Sequence, residues 1–104
     1  MDKEIKAQWL KALRSGAYQQ TRGRLKDLDG YCCLGVLCDI LQPELWVEEE
    51  VGKFSMQNFV GVLPSDVRHK ADIPGDGSTG KLMGMNDQDK LSFDEISDWI
   101  EENL

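Results

Sequence analysis

Several things are scarce in this chain of 104 residues. There is one histidine, so a catalytic pair that needs a neutral base has a single candidate, His69. Three cysteines are an odd number with no C-x-x-C pair, which argues against a disulfide framework and against a four-ligand zinc site. A reducing cytoplasm fits such thiols. No run approaches the roughly 18 apolar residues that cross a membrane. The first ten residues, MDKEIKAQWL, are charged and lack the apolar stretch of a signal peptide. Basic residues are also in the minority: 12 against 19 acids, a net charge of -7, which disfavours general binding to nucleic acid or anionic membranes. What remains is an ordinary globular composition for one domain, with 40% hydrophobic and 30% charged residues.

Charge is placed unevenly. Residues 1–26 hold seven of the basic residues and only Asp2 and Glu4 as acids, so this segment is +5 and the rest is -12. Acids cluster from Glu44 to Glu50 and from Asp87 to Glu102. Basic and acidic parts attract one another either within one chain or across a homodimer, with the acidic tail helix against the basic first helix as the seam.

Hydrophobic spacing predicts an amphipathic helix over 4–15, from Ile5, Trp9, Leu10 and Leu13, with a stop at Ser15-Gly16. Ala17–Gln20 is a connector and Thr21–Leu25 a short strand. Asp27-Leu28-Asp29-Gly30 is a turn. The apolar run Tyr31–Leu41 reads as a buried helix capped by Asp29 and ended by Pro43. LWVEEEV and FSMQNFVGV, within 45–62, read as two strands around Gly52-Lys53. Pro64-Ser65 opens a helical turn to about Lys70. Ile73–Gly80 reads as a mobile surface loop, and Lys81–Asn86 as a strand or the end of that loop. Ser92-Phe93-Asp94-Glu95 is a capping box that opens the last helix, with Phe93, Ile96 and Ile100 facing inward. The expected fold is a single α+β domain over 1–104: a small antiparallel sheet packed with three or four helices.

Few constellations suggest chemistry. Gly75–Lys81 has P-loop spacing, but Leu82 stands where magnesium needs Ser or Thr, and no strand leads in. Cys32 or Cys33 at a helix N-terminus suits a nucleophile, yet buried packing is the commoner role of cysteine. Asp27/Asp29 and Asp87/Asp89 are fragments of calcium loops that lack the remaining ligands. Neither metal nor cofactor is implied. Arg14, Tyr18, Gln20, Arg22 and Arg24 form the best site candidate. Arginine forks hold phosphate or carboxylate, Tyr18 offers a stacking face, and Gln20 reads an amide or a base edge.

Together the segments Trp9–Gln20 (WLKALRSGAYQQ), Tyr31–Asp39 (YCCLGVLCD), Leu63-Pro64, Met85-Asn86-Asp87 and Ser92–Ile96 (SFDEI) resemble a family of small uncharacterised proteins of phages and prophages. The resemblance implies a phage origin, and with it the cytoplasm of the host cell. It adds Asn86 and Asp87 to the candidate site as polar motif residues. These either surround a pocket with Tyr18 and Gln20 or satisfy buried backbone groups. Three functions follow as expectations. The first is an accessory protein that binds a host protein, with a counter-defence role. The second is a binder of an anionic, nucleotide-like small ligand through the basic N-terminal segment. The third is a cysteine-dependent enzyme.

Overall fold

Asp2 opens the first helix, its carboxylate accepting the Ile5 amide at 2.9 Å. In the computed structural model, which describes residues 1–104, this helix α1 spans Lys3–Arg14. Trp9 and Leu13, four residues apart, are its buried side chains. The stop falls at Ser15, and Gly16 takes the left-handed conformation (φ 77°) that releases the chain.

The apolar run forms helix α2, Cys33–Leu41. Its cap differs from the expected one. Cys32, not Asp29, is the N-cap, and its Sγ accepts the Gly35 amide at 3.4 Å. Asp29 falls too early because Tyr31 is spent in extended bridges to Gln20 and Lys26 before the helix can start. The turn ahead is organised by Asp27, whose Oδ1 accepts the amides of Asp29 and Gly30. Every residue from Cys33 to Cys38 is buried, which makes α2 the centre of the core. A Cβ on Gly35 would overlap the Leu25 carbonyl, so only glycine lets α2 lie this close to the 20–31 segment. The Trp9 indole N–H donates to the Cys33 carbonyl at 2.9 Å and ties α1 to α2.

Thr21–Leu25 is not a strand. Gly23 turns the segment with φ 89°, and pairing is confined to single bridges around it. After the 3-10 turn Pro43–Leu45, strands β1 (Trp46–Glu50) and β2 (Lys53–Met56) pair antiparallel, with Trp46 opposite Met56 and Glu48 opposite Phe54. A bulge between Glu48 and Glu50 leads into the turn at Gly52 (φ 78°). The second strand is shorter than its apolar pattern suggests. Gln57 and Asn58 adopt positive φ and fold Phe59 back onto Met56, which ends the ladder. Lys26–Leu28 lies along the far edge of β2 through Phe54 N–H to Lys26 O (3.3 Å) and Leu28 N–H to Gly52 O (3.0 Å). The outer edge of β1 has no such neighbour: no backbone bond outside the β1–β2 ladder involves Trp46–Glu50.

Helix α3, Ser65–Lys70, matches expectation. Helix α4, Ser78–Asp87, does not: it replaces the strand or loop expected over 81–86 and takes in the end of the expected surface loop. Gly80 and Gly84 weaken its local propensity, each by about 1 kcal/mol relative to alanine. Burial of Leu82, Met85 and Asn86 on one face at helical spacing overrides that. Helix α5, Phe93–Asn103, has the expected capping box: Ser92 Oγ accepts the Glu95 amide, and Glu95 accepts the Ser92 amide. The architecture is therefore α+β with five helices rather than three or four, and one two-stranded sheet. Helix α2 contacts α1, α3 and α4, and α5 closes over α1 and α4.

The opposite charges meet within the chain. Arg14 of α1 pairs with Asp98 at 2.9 Å and Glu101 at 3.3 Å of α5, and Lys6 donates to the Glu101 carbonyl. The seam considered for a homodimer is thus used inside one molecule. No helix is long and apolar enough to cross a membrane.

Candidate functional site

The structure distributes the seven candidate residues over four places. Arg14 belongs to the α1–α5 contact, where Ser97 Oγ accepts its Nε–H at 2.9 Å. The two acids hold its guanidinium above even its ordinary value. Arg24 reaches the Phe54 carbonyl at 3.5 Å and so braces β2. Neither stands beside Tyr18.

Gln20, Asn86 and Asp87 do meet. Asn86 is fully buried at the end of α4 and uses all of its hydrogen-bonding capacity. Its Oδ1 accepts Gln20 Nε2 at 2.8 Å and the Cys33 amide at 3.2 Å. Its Nδ2 donates to the Thr21 carbonyl at 2.9 Å and to Asp87 Oδ1 at 2.8 Å. Asp87 also accepts the Gly23 amide, Gln20 donates to the Leu91 carbonyl, and Arg22 donates to the Lys90 carbonyl. The Cys33 amide is one of the donors that a helix N-terminus leaves unpaired. This hub therefore pins the irregular 20–25 segment and the start of α2 to α4. Of the two roles open to the polar motif residues, the geometry gives Asn86 the satisfying of buried backbone groups.

Tyr18 belongs to a different cluster. Its hydroxyl donates to Asp39 Oδ2 at 2.7 Å, and Trp46 Nε1 donates to Asp39 Oδ1 at 3.0 Å. Burial, then the bond to Asp39, raises the phenol's pKa far above its ordinary value and keeps it a donor. Tyr31 stands edge-on to Tyr18, with centroids 5.0 Å apart, and tilted against Trp46 at 6.2 Å. The ammonium of Lys26 lies 5.2 Å from the ring centre of Tyr31, 5.3 Å from Trp46 and 4.4 Å from Phe54. Beside this group opens a cleft of about 360 Å³, whose wall includes Gln19, Lys26, Asp29, Gly30, Tyr31 and Phe54. Sequence reasoning reached Tyr18 and missed Lys26, Tyr31, Trp46 and Phe54. Aromatic residues at 18, 31, 46 and 54, with Lys26 between the first two, were the available signal, but only the β1–β2 register and the Tyr31 bridges bring them together.

The thiols are closed. Cys32, Cys33 and Cys38 are buried and free. Burial pushes the Cys32 thiol up to about 11 against the lowering effect of the Gly35 and Leu34 amides, and it pushes Cys33 and Cys38 up as well. Cys33 Sγ donates to the Leu82 carbonyl at 3.6 Å. Helix-terminal amides would favour a thiolate, but here desolvation wins. No group of three or more His, Cys, Asp or Glu side chains is arranged to hold a metal ion. In the Gly75–Lys81 segment no strand precedes the loop, and the Asp76 carboxylate occupies the start of α4 by accepting Ser78 N–H and O–H.

Residues 1–79 match the family model described as a domain of unknown function, DUF8296. The chain belongs to this family. The matched part contains α1, α2, the hairpin and α3, and with them the whole Lys26–aromatic cluster. Asn86, Asp87 and α5 lie beyond it. Neither a curated protein nor a solved structure gives a match.

Proposed function

We propose that this DUF8296 protein acts by binding a partner protein, through the free edge of β1, and that the partner supplies a basic, extended segment. The unpaired edge carries the reading. A strand with unsatisfied N–H and C=O groups on one side is a template for a further strand. Val47 is 53% exposed on this strand, with Glu44, Glu48, Glu49 and Glu50 around it. Lys53, paired with Glu50 at 3.4 Å, is the one cation bonded to these glutamates. The negative charges repel a second copy of the same edge and favour a strand of opposite sign. The buried, protonated thiols support binding over cysteine catalysis. The phage-type resemblance supports a host protein as partner and a counter-defence setting.

The test is capture from host lysate by the wild-type chain and by Val47→Lys, with hydrogen exchange on the complex. The wild type should retain a stoichiometric protein and show slowed exchange at β1 amides. Val47→Lys should lose the protein while keeping its circular dichroism and Tm. Equal retention by Val47→Lys, with β1 exchange unchanged, would refute the reading.

A further inference from the structure

Lys26 is a half-buried residue whose ammonium has no acceptor. It forms none of the ion pairs in the molecule and donates no hydrogen bond. Three aromatic rings attract its charge, but π faces leave its N–H groups without oxygen partners. The neighbouring carboxylate is already committed: Asp27 Oδ1 takes the Asp29 and Gly30 amides, and Oδ2 takes the Thr21 hydroxyl at 2.8 Å. Lys26 also forms part of the wall of the 360 Å³ cleft, together with the rings of Tyr31 and Phe54. That volume falls within the range of about 300–1,000 Å³ found for small-molecule sites. Gly30 removes side-chain bulk from the wall, and a Cβ there would overlap the Gln19 carbonyl. At the rim stand the exposed Gln19 amide and the Asp29 carboxylate, neither of which makes a side-chain hydrogen bond.

From this juxtaposition we propose that the cleft binds a nucleoside monophosphate, with its phosphate on the Lys26 ammonium and its base against Tyr31 and Phe54. A phosphate oxygen supplies the acceptor that the ammonium lacks. A flat heteroaromatic ring matches the aromatic wall. Gln19 and Asp29 then meet the polar edge of the base, Asp29 as an acceptor for ring or exocyclic N–H groups. The site lies on the β2 side of the hairpin, away from the β1 edge. It differs from the dispersed arginine set, for Arg14 and Arg22 take no part.

The experiment is a nuclear magnetic resonance titration of the full chain with AMP, GMP, CMP and UMP, each to about 5 mM, a limit that detects dissociation constants into the millimolar range. Adenosine and inorganic phosphate are run alone, with choline as a cationic guest. At least one monophosphate should shift the amides of residues 26–31 and Phe54, and bind at least tenfold more tightly than its nucleoside or phosphate. Lys26→Met, which keeps the apolar stem and removes the charge, should weaken binding at least tenfold. Asp29→Asn, at an exposed position, should alter the preference among the bases and keeps the test available if the Lys26 variant folds poorly. The proposal is overturned if no monophosphate shifts these amides. It is also overturned if phosphate alone binds as well, if choline binds there in place of nucleotides, or if neither variant changes binding.

Discussion

Replacing Asn86 by alanine tests whether the polar hub, rather than apolar packing, holds the first half of the chain to α4. The change leaves two buried backbone groups without their partner, the Cys33 amide and the Thr21 carbonyl. Gln20 keeps its bond to Leu91, and Asp87 keeps the Gly23 amide. Each orphaned buried group costs about 1–3 kcal/mol. A water in the vacated space recovers part of this, so a net loss of about 3 kcal/mol is expected. Domains of this size are stable by only about 5–15 kcal/mol. The loss should lower Tm by on the order of 15 °C. Asn86→Leu is the sharper variant, because it orphans the same groups and fills the space a water would use. It should be less stable than Asn86→Ala. Urea unfolding gives the free energies, and hydrogen exchange should show the Cys33 amide exposed in both variants. The reasoning fails if Leu at this position is as stable as Asn, or if Asn86→Ala costs less than about 1 kcal/mol with Cys33 still protected.

Other outcomes are equally specific. Gly35→Ala forces a methyl into the Leu25 carbonyl and should cost at least about 3 kcal/mol in a denaturant titration, a severe loss for a single methyl. Trp9→Phe keeps an aromatic ring in the core but leaves the Cys33 carbonyl without the indole donor, and should cost about 1–3 kcal/mol by the same assay. Thiol labelling at neutral pH should be slow for all three cysteines and become fast in denaturant, because burial keeps them protonated and closed; rapid labelling of Cys32 in the native protein would reopen the cysteine-enzyme reading. The bonds from Ser78 hold the Asp76 carboxyl below its ordinary range, so its contribution to folding is present above the unfolded-state value and is lost as pH falls through the folded one. Asp76→Asn should therefore flatten the acid limb of the Tm-against-pH curve.

Local rules were legible where a short stretch of chain supplies both partners. The α5 capping box, the Gly16 stop and the α3 start are all contacts within about five residues, and their residue types name them. The unequal charge of the two ends was also legible, though not the choice between intrachain and interchain pairing. Reading failed where distant burial outweighed local preference. Gly80 and Gly84 disguised α4 until Leu82, Met85 and Asn86 found the core. The alternation in 54–62 promised a long strand, but the positive φ of Gln57 and Asn58 ended it.

The candidate site divides along the same line. Tyr18, Gln20, Asn86 and Asp87 stood out in the sequence as polar residues of recognisable motifs. That Tyr18 serves Asp39 of α2 while Gln20 serves Asn86 of α4 is set by how those two helices pack on the 18–20 segment. Lys26 is unremarkable in the sequence, one of seven basic residues before position 27. Only the hairpin register and the turn at Asp27 surround it with three rings and leave it without an anion. The sequence by itself determined the helical ends, the apolar centre and the overall charge, because spacing and capping act over a few residues. Tertiary structure alone decided which polar groups are used up inside and which remain free at a surface, because a hydrogen-bond partner sixty residues away has no signature in local spacing.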